Sequence, residues 1–263
     1  MKYKKYLALG KITLLDNYSH VADSLFSGVF VGIVLFIFLN IWRAAYAGEA
    51  AVEGFTIVQI IWYLALAEVI AFASGTGRIE RLGEEIRNGS LASALLKPWS
   101  FIGKELTIMT ANFISIFITT GIIAFIVAYF LVGVIHISLI TIPFMLIILG
   151  GAAILGFAVV ASFALLALWI EDVAAILWIY QKIVFIAGGM LIPLDFYPIG
   201  VQNIIQYLPT TFLMYWPAKL FVHFSWQNFT YAFLGQIIWI IITGVIMMFI
   251  YKKGIRKVGI YGG

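Results

Sequence analysis

Two charged side chains lie inside stretches that are otherwise apolar, and they are the first candidates for chemistry. Glu68 lies within the apolar stretch 54–77, and Lys182 lies within the apolar stretch 173–192. A charge near the middle of a membrane-spanning stretch costs about 2.5–3.5 kcal/mol on insertion scales, so a neutralising partner is favoured. Each residue is nine positions from the end of its stretch that we assign to the cytoplasm. We therefore predict that Glu68 and Lys182 pair, within one chain or between two, beside a polar path. The alternative is that Lys182 reaches the membrane surface and Glu68 stays protonated in a packed interior.

Residue types and motifs for several other chemistries are missing from the sequence. The chain has no Cys, which excludes a disulfide, a thiol nucleophile and a Cys-ligated metal site. Its three His residues are His20, His136 and His223, which are far apart, and we interpret each as an interfacial polar residue. The sequence contains no G-x-x-x-x-G-K-[ST], no H-E-x-x-H and no G-x-S-x-G. We therefore expect no catalytic residue, no metal and no ATP site in this chain.

The composition places these residues in a membrane protein. The 263 residues are 63% hydrophobic and 11% charged, with a mean hydropathy of +1.08. Soluble domains are about 45–50% apolar and about 25% charged. This difference excludes a soluble enzyme, a disordered chain and a nucleic-acid module, so the lipid bilayer is the expected environment.

The apolar stretches predict an all-α fold with six transmembrane helices, because one span needs roughly 20 apolar residues. The uncharged stretch 106–170 is long enough for two spans, with a break near 134–138 and with Pro143 at the start of the second. The predicted spans are 24–42, 54–77, two within 106–170, 173–192 and 229–251.

The basic residues predict the orientation of these spans. Residues 1–20 mix Lys with Leu, Ile and Tyr, which is typical of a helix lying at a membrane surface. Thirteen of the sixteen Lys and Arg residues fall in this segment, in the 78–105 loop or in the C-terminal tail. Because basic residues concentrate on the cytoplasmic side, we predict a multi-pass protein of the cell membrane with both termini in the cytoplasm. The turn at 171–172 has no basic residue and does not contribute to this assignment.

The loop 78–100 is the most densely charged part of the chain. Apolar residues recur at intervals that favour two short helices, separated by a turn at Asn88-Gly89 and ending at Pro98. One interpretation is a solvated loop between two spans. The other is an amphipathic element that docks a partner on the cytoplasmic face.

The segment 193–217 combines prolines with apolar and aromatic residues. It contains four of the six prolines and follows the pair Gly188-Gly189. Proline interrupts helices, and irregular apolar backbone at a membrane must be buried in protein or line a cavity. We predict short re-entrant helices on the outer side.

The pair of glycines in Gly28-x-x-x-Gly32 predicts close helix packing in the first span. The packing partner is either a second subunit or another helix of the same chain. The sequence leaves both alternatives open.

The order of these features resembles the membrane subunit of a type-2 ABC transporter, in a branch similar to bacterial drug-resistance exporters. The likeness covers nearly the whole chain. The residues that carry it are Glu85-Ile86-Arg87, Gly89, Leu91, Leu95-Leu96, Pro98, Gly188-Gly189, Ile192-Pro193-Leu194, Phe196, Pro198, Leu208-Pro209 and Tyr261-Gly262-Gly263.

The resemblance implies a transport subunit, not an enzyme, with residues 1–263 forming a single transmembrane domain. A second copy or a close paralogue would complete the pathway, and a separate cytoplasmic ATPase would bind ATP and Mg²⁺ and drive export. The outer re-entrant motif would comprise Gly188, Gly189, Pro193, Phe196 and Pro198. The residues expected to dock the ATPase are Arg81, Glu84, Glu85, Ile86, Arg87, Gly89, Leu91 and Leu95.

Two other function classes fit a membrane chain of this composition. An ATP-independent secondary transporter or channel subunit would work without any ATPase. It is less favoured because the two halves of the chain show no internal repeat. A membrane anchor or assembly subunit would have no pathway at all.

Overall fold

The computed structural model describes residues 3–19, 21–74, 99–170 and 174–261. These residues form ten α-helices joined by short connections, with three-residue 3₁₀ helices at Leu139–Thr141, Leu166–Leu168 and Leu194–Phe196. The α-helices are α1 (Lys4–Ser19), α2 (Val21–Tyr46), α3 (Ile57–Ala73), α4 (Phe101–Val132), α5 (Ile142–Leu165), α6 (Ala174–Ala187), α7 (Ile199–Ile205), α8 (Pro209–Leu213), α9 (Tyr215–Val222) and α10 (Trp226–Tyr261).

Four helical stretches within the described part of the chain are long and apolar enough to cross a membrane. They are Phe26–Tyr46, Phe101–Val132, Leu139–Leu168 and Trp226–Arg256. Their positions match the first, third, fourth and sixth predicted spans. Two shorter apolar helices, Ile57–Ala73 and Trp178–Ala187, lie where the second and fifth spans are predicted. The chain is therefore an all-helical, multi-pass membrane protein.

Local sequence signals explain where the central helices begin and end. The Thr56 hydroxyl and the Gln59 side chain form a reciprocal capping box at the start of α3. The helix α4 stops at Gly133, whose φ of +81° is accessible to glycine at little cost. Pro143 lies in the first turn of α5, where a missing amide hydrogen costs no hydrogen bond. The predicted break between these two helices is confirmed, because α4 ends at Val132 and α5 begins at Ile142.

The helix α3 lies at the centre of the bundle. It packs against α2, α4 and α9, while α5 packs along α10. Twelve of its seventeen residues are buried, including every residue from Ile60 to Ile70. A helix that is apolar all round is typical of such a core position. The exposed residues of α2, α4 and α10 are mostly large and apolar, as expected of surfaces that face lipid.

The N-terminal helix α1 lies along the first turns of α4. The Ser100 amide donates to the Tyr6 hydroxyl over 3.1 Å, and Asn17 Nδ2 donates to Asn112 Oδ1 over 2.9 Å. No described residue of α1 is buried, and the apolar side chains of Leu7 and Ile12 remain exposed. The predicted helix in residues 1–20 is therefore present, with an apolar surface that other helices leave uncovered.

The glycines of Gly28-x-x-x-Gly32 pack within the chain. A Cβ atom at Gly28 would clash with the Ile123 side chain of α4, and one at Gly32 would lie 3.5 Å from Val127 of the same helix. Of the two alternatives that the sequence left open, the structure therefore shows packing against another helix of the same chain. The spacing of small residues indicated a close helix approach but not which helix approaches.

Candidate functional site

A cavity of about 360 Å³ lies among α2, α3, α5 and α6 and is partly open. The tip of the proline-rich segment, at Leu213 and Met214, forms one of its walls. The lining is mostly apolar and aromatic with few polar groups, which is typical of a binding site for a small hydrophobic molecule. The lining residues are Phe30, Glu68, Ala71, Phe72, Ser74, Val160, Tyr180, Gln181, Val184, Phe185, Met190, Leu213 and Met214.

Glu68 is the one acidic residue among those lining residues. It lies within the buried run Ile60 to Ile70 of α3 and is only 3% exposed. No described residue forms a hydrogen bond or an ion pair with its carboxyl group. The Ser74 hydroxyl, by contrast, donates to the Ile70 carbonyl over 2.7 Å and is satisfied within its own helix. The cavity therefore contains a buried acid that has no partner among the described residues.

Lys182 is not among the described lining residues of this cavity, and its side chain is exposed on α6 next to the lining residue Phe185. Its ammonium group lies 5.1 Å from the ring centre of Trp178 and 5.5 Å from that of Phe185. Ion pairs among the described residues join Lys104 to Glu105 and Lys219 to Asp195, and none joins Glu68 to Lys182. Pairing within one chain is therefore not observed. Counting residues along two helices gives the height of each side chain but not the direction in which it points.

The turn that leads into the proline-rich segment requires glycine. Gly189 has a φ of +74°, and a Cβ atom there would lie 2.7 Å from Leu194 and 2.9 Å from Tyr215. The Tyr63 hydroxyl, from the middle of α3, donates to the Gly189 carbonyl. The amide of Gly188 donates to the Val184 carbonyl over 3.1 Å, which completes the last turn of α6. The glycine pair therefore turns the chain from α6 back into the bundle.

The other residues of the predicted outer motif lie in the next turns of this segment. Pro193 precedes the 3₁₀ helix Leu194–Phe196, and Pro198 precedes α7. The Phe196 ring packs 4.8 Å from Trp42 and 5.8 Å from Phe55, measured between ring centres. The five predicted motif residues thus belong to one continuous structure.

A polar triad anchors this segment, and it was not among the features predicted from the sequence. Lys219 Nζ lies 2.5 Å from Asp195 Oδ1, and the Tyr215 hydroxyl donates to Asp195 Oδ2 over 2.9 Å. Lys219 Nζ also donates to the Tyr215 hydroxyl over 2.7 Å. One signal was available, because Asp195 and Lys219 are the only charged residues between positions 183 and 251. A single acid and a single base in so apolar a stretch favour each other as partners.

His223 lies beside this triad, at the end of α9. Its ring packs edge-on to Phe55 with 4.9 Å between ring centres. Burial, and then the charge of Lys219, lower the pKa of His223, while Asp195 acts in the opposite direction. A neutral imidazole at pH 7 therefore adds no charge to the Asp195–Lys219 pair.

The tip of the segment reaches deep into the bundle. Gln236 Nε2 donates to the Phe212 and Ile148 carbonyls over 3.0 Å each. Gln236 is ten residues into α10, which corresponds to about 15 Å along that helix. Leu213 also lies against Gly156 of α5, where a Cβ atom would be 3.2 Å away. The irregular backbone is thus buried in protein, as a membrane requires.

The predicted ATPase-docking residues lie outside the described part of the chain, which has a gap at 75–98. Next to this gap, Glu105 in α4 is only 3% exposed, and its carboxylate lies 2.8 Å from Lys104 Nζ. Among the described residues, no group of three or more His, Asp or Glu side chains could hold a metal ion. The docking residues that remain predictions are Arg81, Glu84, Glu85, Ile86, Arg87, Gly89, Leu91 and Leu95.

Comparison with known proteins adds a family to this architecture. No curated protein matches the chain. The family described as "ABC-2 family transporter protein" matches residues 30–262, from α2 to the C-terminal tail. This match covers the cavity, the proline-rich segment and the long apolar helices. The chain therefore belongs to the ABC-2 family of transporter proteins and is the membrane component of an ABC transporter, a transport subunit and not itself an enzyme.

Proposed function

We propose that this chain is the permease subunit of an ABC exporter and forms half of a transmembrane pathway that a separate cytoplasmic ATPase drives. The observation that carries the proposal is the family match over residues 30–262 in a chain whose sequence has no P-loop. A membrane component without a nucleotide site needs ATP and Mg²⁺ to be bound by another subunit. The bacterial drug-resistance branch is part of the same proposal and rests on the motifs quoted above.

The proposed topology has six spans in a single domain, residues 1–263, with both termini and the loop 78–100 in the cytoplasm of the cell. The shorter helices α3 and α6 are the second and fifth spans. The distribution of Lys and Arg supports this orientation. The helix α4 has 32 residues and is about 48 Å long, which exceeds a hydrocarbon core of about 30 Å. Its first turns can therefore extend to the cytoplasmic surface, where α1 would lie with its exposed apolar side chains in the headgroup region.

The proposed coupling runs from the ATPase through the loop 78–100 to α3 and α4. These two helices flank the loop in sequence and pack against each other in the bundle. A push on the loop would therefore move the helix that carries Glu68. A second subunit, identical or a close paralogue, would complete the pathway, with Glu68 and Lys182 as its intramembrane charges. The proline-rich segment would lie at its outer end.

Copurification with the ATPase tests this proposal. The chain is coexpressed with ABC ATPases from the same genome, and the complex is isolated through a tag on the membrane subunit. We expect the ATPase to be retained by the unchanged chain and by Glu49→Ala, a change in an exposed connection between α2 and α3. We expect Glu85→Ala, Arg87→Ala and Leu91→Ala to release it.

Two results would contradict the proposal in different ways. If all three loop variants retained the ATPase at the unchanged level, the docking assignment would be wrong. If reconstituted vesicles transported cargo at the same rate without ATPase or ATP, the chain would be a secondary transporter or channel.

A further inference from the structure

We infer that the cavity around Glu68 binds amphipathic organic cations, which combine one positive charge with an aromatic or branched apolar body. This inference rests on the proposed function and adds a class of cargo to it. The charge would lie against the Glu68 carboxylate, and the apolar body would fill the remaining cavity.

The carboxyl group of Glu68 lacks an interaction that a cation would supply. Its carboxyl group is buried, belongs to the cavity wall and has no hydrogen-bond or ion-pair partner among the described residues. A buried carboxylate without a partner is unfavourable, so a positive group that enters the cavity supplies the missing interaction. A neutral guest could at most donate a hydrogen bond to this carboxyl group, and an anionic guest would add repulsion.

The charge of the cavity wall also favours a cation. None of its described lining residues is Lys, Arg or His. The nearest base along α6 is Lys182, whose side chain is exposed and stacks on the rings of Trp178 and Phe185. Glu68 is therefore the only formally charged group in the described lining. The cavity favours cations over anions of the same shape.

The rest of the cavity wall consists largely of aromatic rings and flexible Met side chains. Phe30 and Phe72 pack edge-to-face, 5.9 Å apart between ring centres, and Tyr180 and Phe185 add two further rings. Aromatic faces attract organic cations, most strongly when water is excluded. Met190 and Met214 provide flexible, polarizable side chains that adapt to different guests. A volume of about 360 Å³ falls at the lower end of the range for small-molecule sites and suits a guest of a few rings.

The cavity lies between α3, which the ATPase is proposed to move, and the anchored proline-rich segment. Glu68 belongs to α3, which leads to the proposed docking loop. Met214 belongs to the segment that the Asp195–Lys219 pair anchors, and Met190 lies in the turn that leads into it. A bound guest would therefore contact both the helix that the ATPase is proposed to move and the segment proposed to lie at the outer end.

Equilibrium dialysis of the purified full-length complex with its ATPase tests this inference. The probes are tetraphenylphosphonium, a permanent cation, and tetraphenylborate, an anion of nearly the same shape. We expect the unchanged complex to bind the cation at least tenfold more tightly than the anion. Glu68→Gln should weaken cation binding at least tenfold without weakening anion binding, and Glu68→Asp should retain most of the preference for the cation. The matched control Glu49→Gln removes an exposed acid and should change neither affinity.

A steric variant keeps the test meaningful even if Glu68→Gln is unstable. Ala71→Phe fills the cavity without changing its charge and should weaken binding of both probes. The inference is overturned if the unchanged complex binds both ions equally, or if Glu68→Gln weakens both alike while Ala71→Phe weakens neither. Copurification of the ATPase is scored in the same preparations. Loss of the cation preference with the ATPase still bound therefore refutes the cargo class alone, and absence of the ATPase refutes the proposed function alone.

Discussion

At the scale of single residues, the ion pair between Asp195 and Lys219 joins the first turns of the proline-rich segment to α9. Both side chains are less than one-quarter exposed, so either charge alone would remain in a poorly solvated place. Removing one partner of a buried polar pair costs about 1–3 kcal/mol, whereas removing both is often tolerated. We expect Lys219→Met to lower the thermal unfolding midpoint of the purified protein clearly. The double variant Asp195→Asn/Lys219→Met should be closer to the unchanged protein.

The measurement is thermal unfolding of each variant in the same detergent. If the double variant were less stable than the unchanged protein by the sum of the losses in Lys219→Met and Asp195→Asn, the two residues would act independently. The ion pair would then contribute no coupling to the stability of this segment.

Gly189 is the second residue whose type the structure explains. We expect Gly189→Ala to destabilise the protein by about 1–3 kcal/mol, because its positive φ strains other residues. A methyl group there would also press on Leu194 and Tyr215. Gly200→Ala is the matched control, since a Cβ atom at Gly200 meets nothing within 4 Å. Equal unfolding midpoints for the two variants would show that the turn tolerates a side chain.

Residue types alone predicted part of this site. Glu68 was identified because an acid in an apolar stretch is conspicuous, and the structure indeed places it in a cavity. Its predicted partner was not observed within the chain, because residue counts along α3 and α6 do not give side-chain direction. The Asp195–Lys219 pair was missed although both charges were visible in the sequence. Their contact depends on how the short helices between them fold back.

At the scale of helices, the sequence predicted best where one residue type decides the outcome. The apolar stretches gave the positions of the long helices, and Pro143 marked the start of α5. The short helices α7, α8 and α9 were expected only as interrupted backbone, since their ends depend on tertiary contacts such as Gln236 with Phe212. Helix position is thus local information, whereas helix contact is not.

The contact of α2 with α4 gives a prediction at this scale. We expect Gly28→Ala to destabilise the protein by about 1–3 kcal/mol, because the added methyl group overpacks the interface with Ile123. Gly244→Ala, in α10, is the control, since a Cβ atom there meets nothing within 4 Å. Thermal unfolding and the subunit stoichiometry are measured together. A change in stoichiometry with unchanged stability would instead place Gly28 between subunits.

At the scale of the whole molecule, the chain is a membrane component without a nucleotide site of its own. Thirteen of its sixteen Lys and Arg residues lie at the proposed cytoplasmic side. The family match supports an ABC transporter, and the loop 78–100 is the proposed place where the ATPase binds. Coupling to a cytoplasmic ATPase therefore requires this loop to face the cytoplasm.

Single-cysteine labelling tests this dependence most directly, because the chain has no native Cys. A membrane-impermeant maleimide is applied to cells that express Ser90→Cys, in the loop, or Glu49→Cys, in the proposed outer connection. We predict that Glu49→Cys is modified in intact cells. Ser90→Cys should be modified only after permeabilisation, and less so when the ATPase is coexpressed. Modification of Ser90→Cys in intact cells would contradict both the topology and the proposed coupling to a cytoplasmic ATPase.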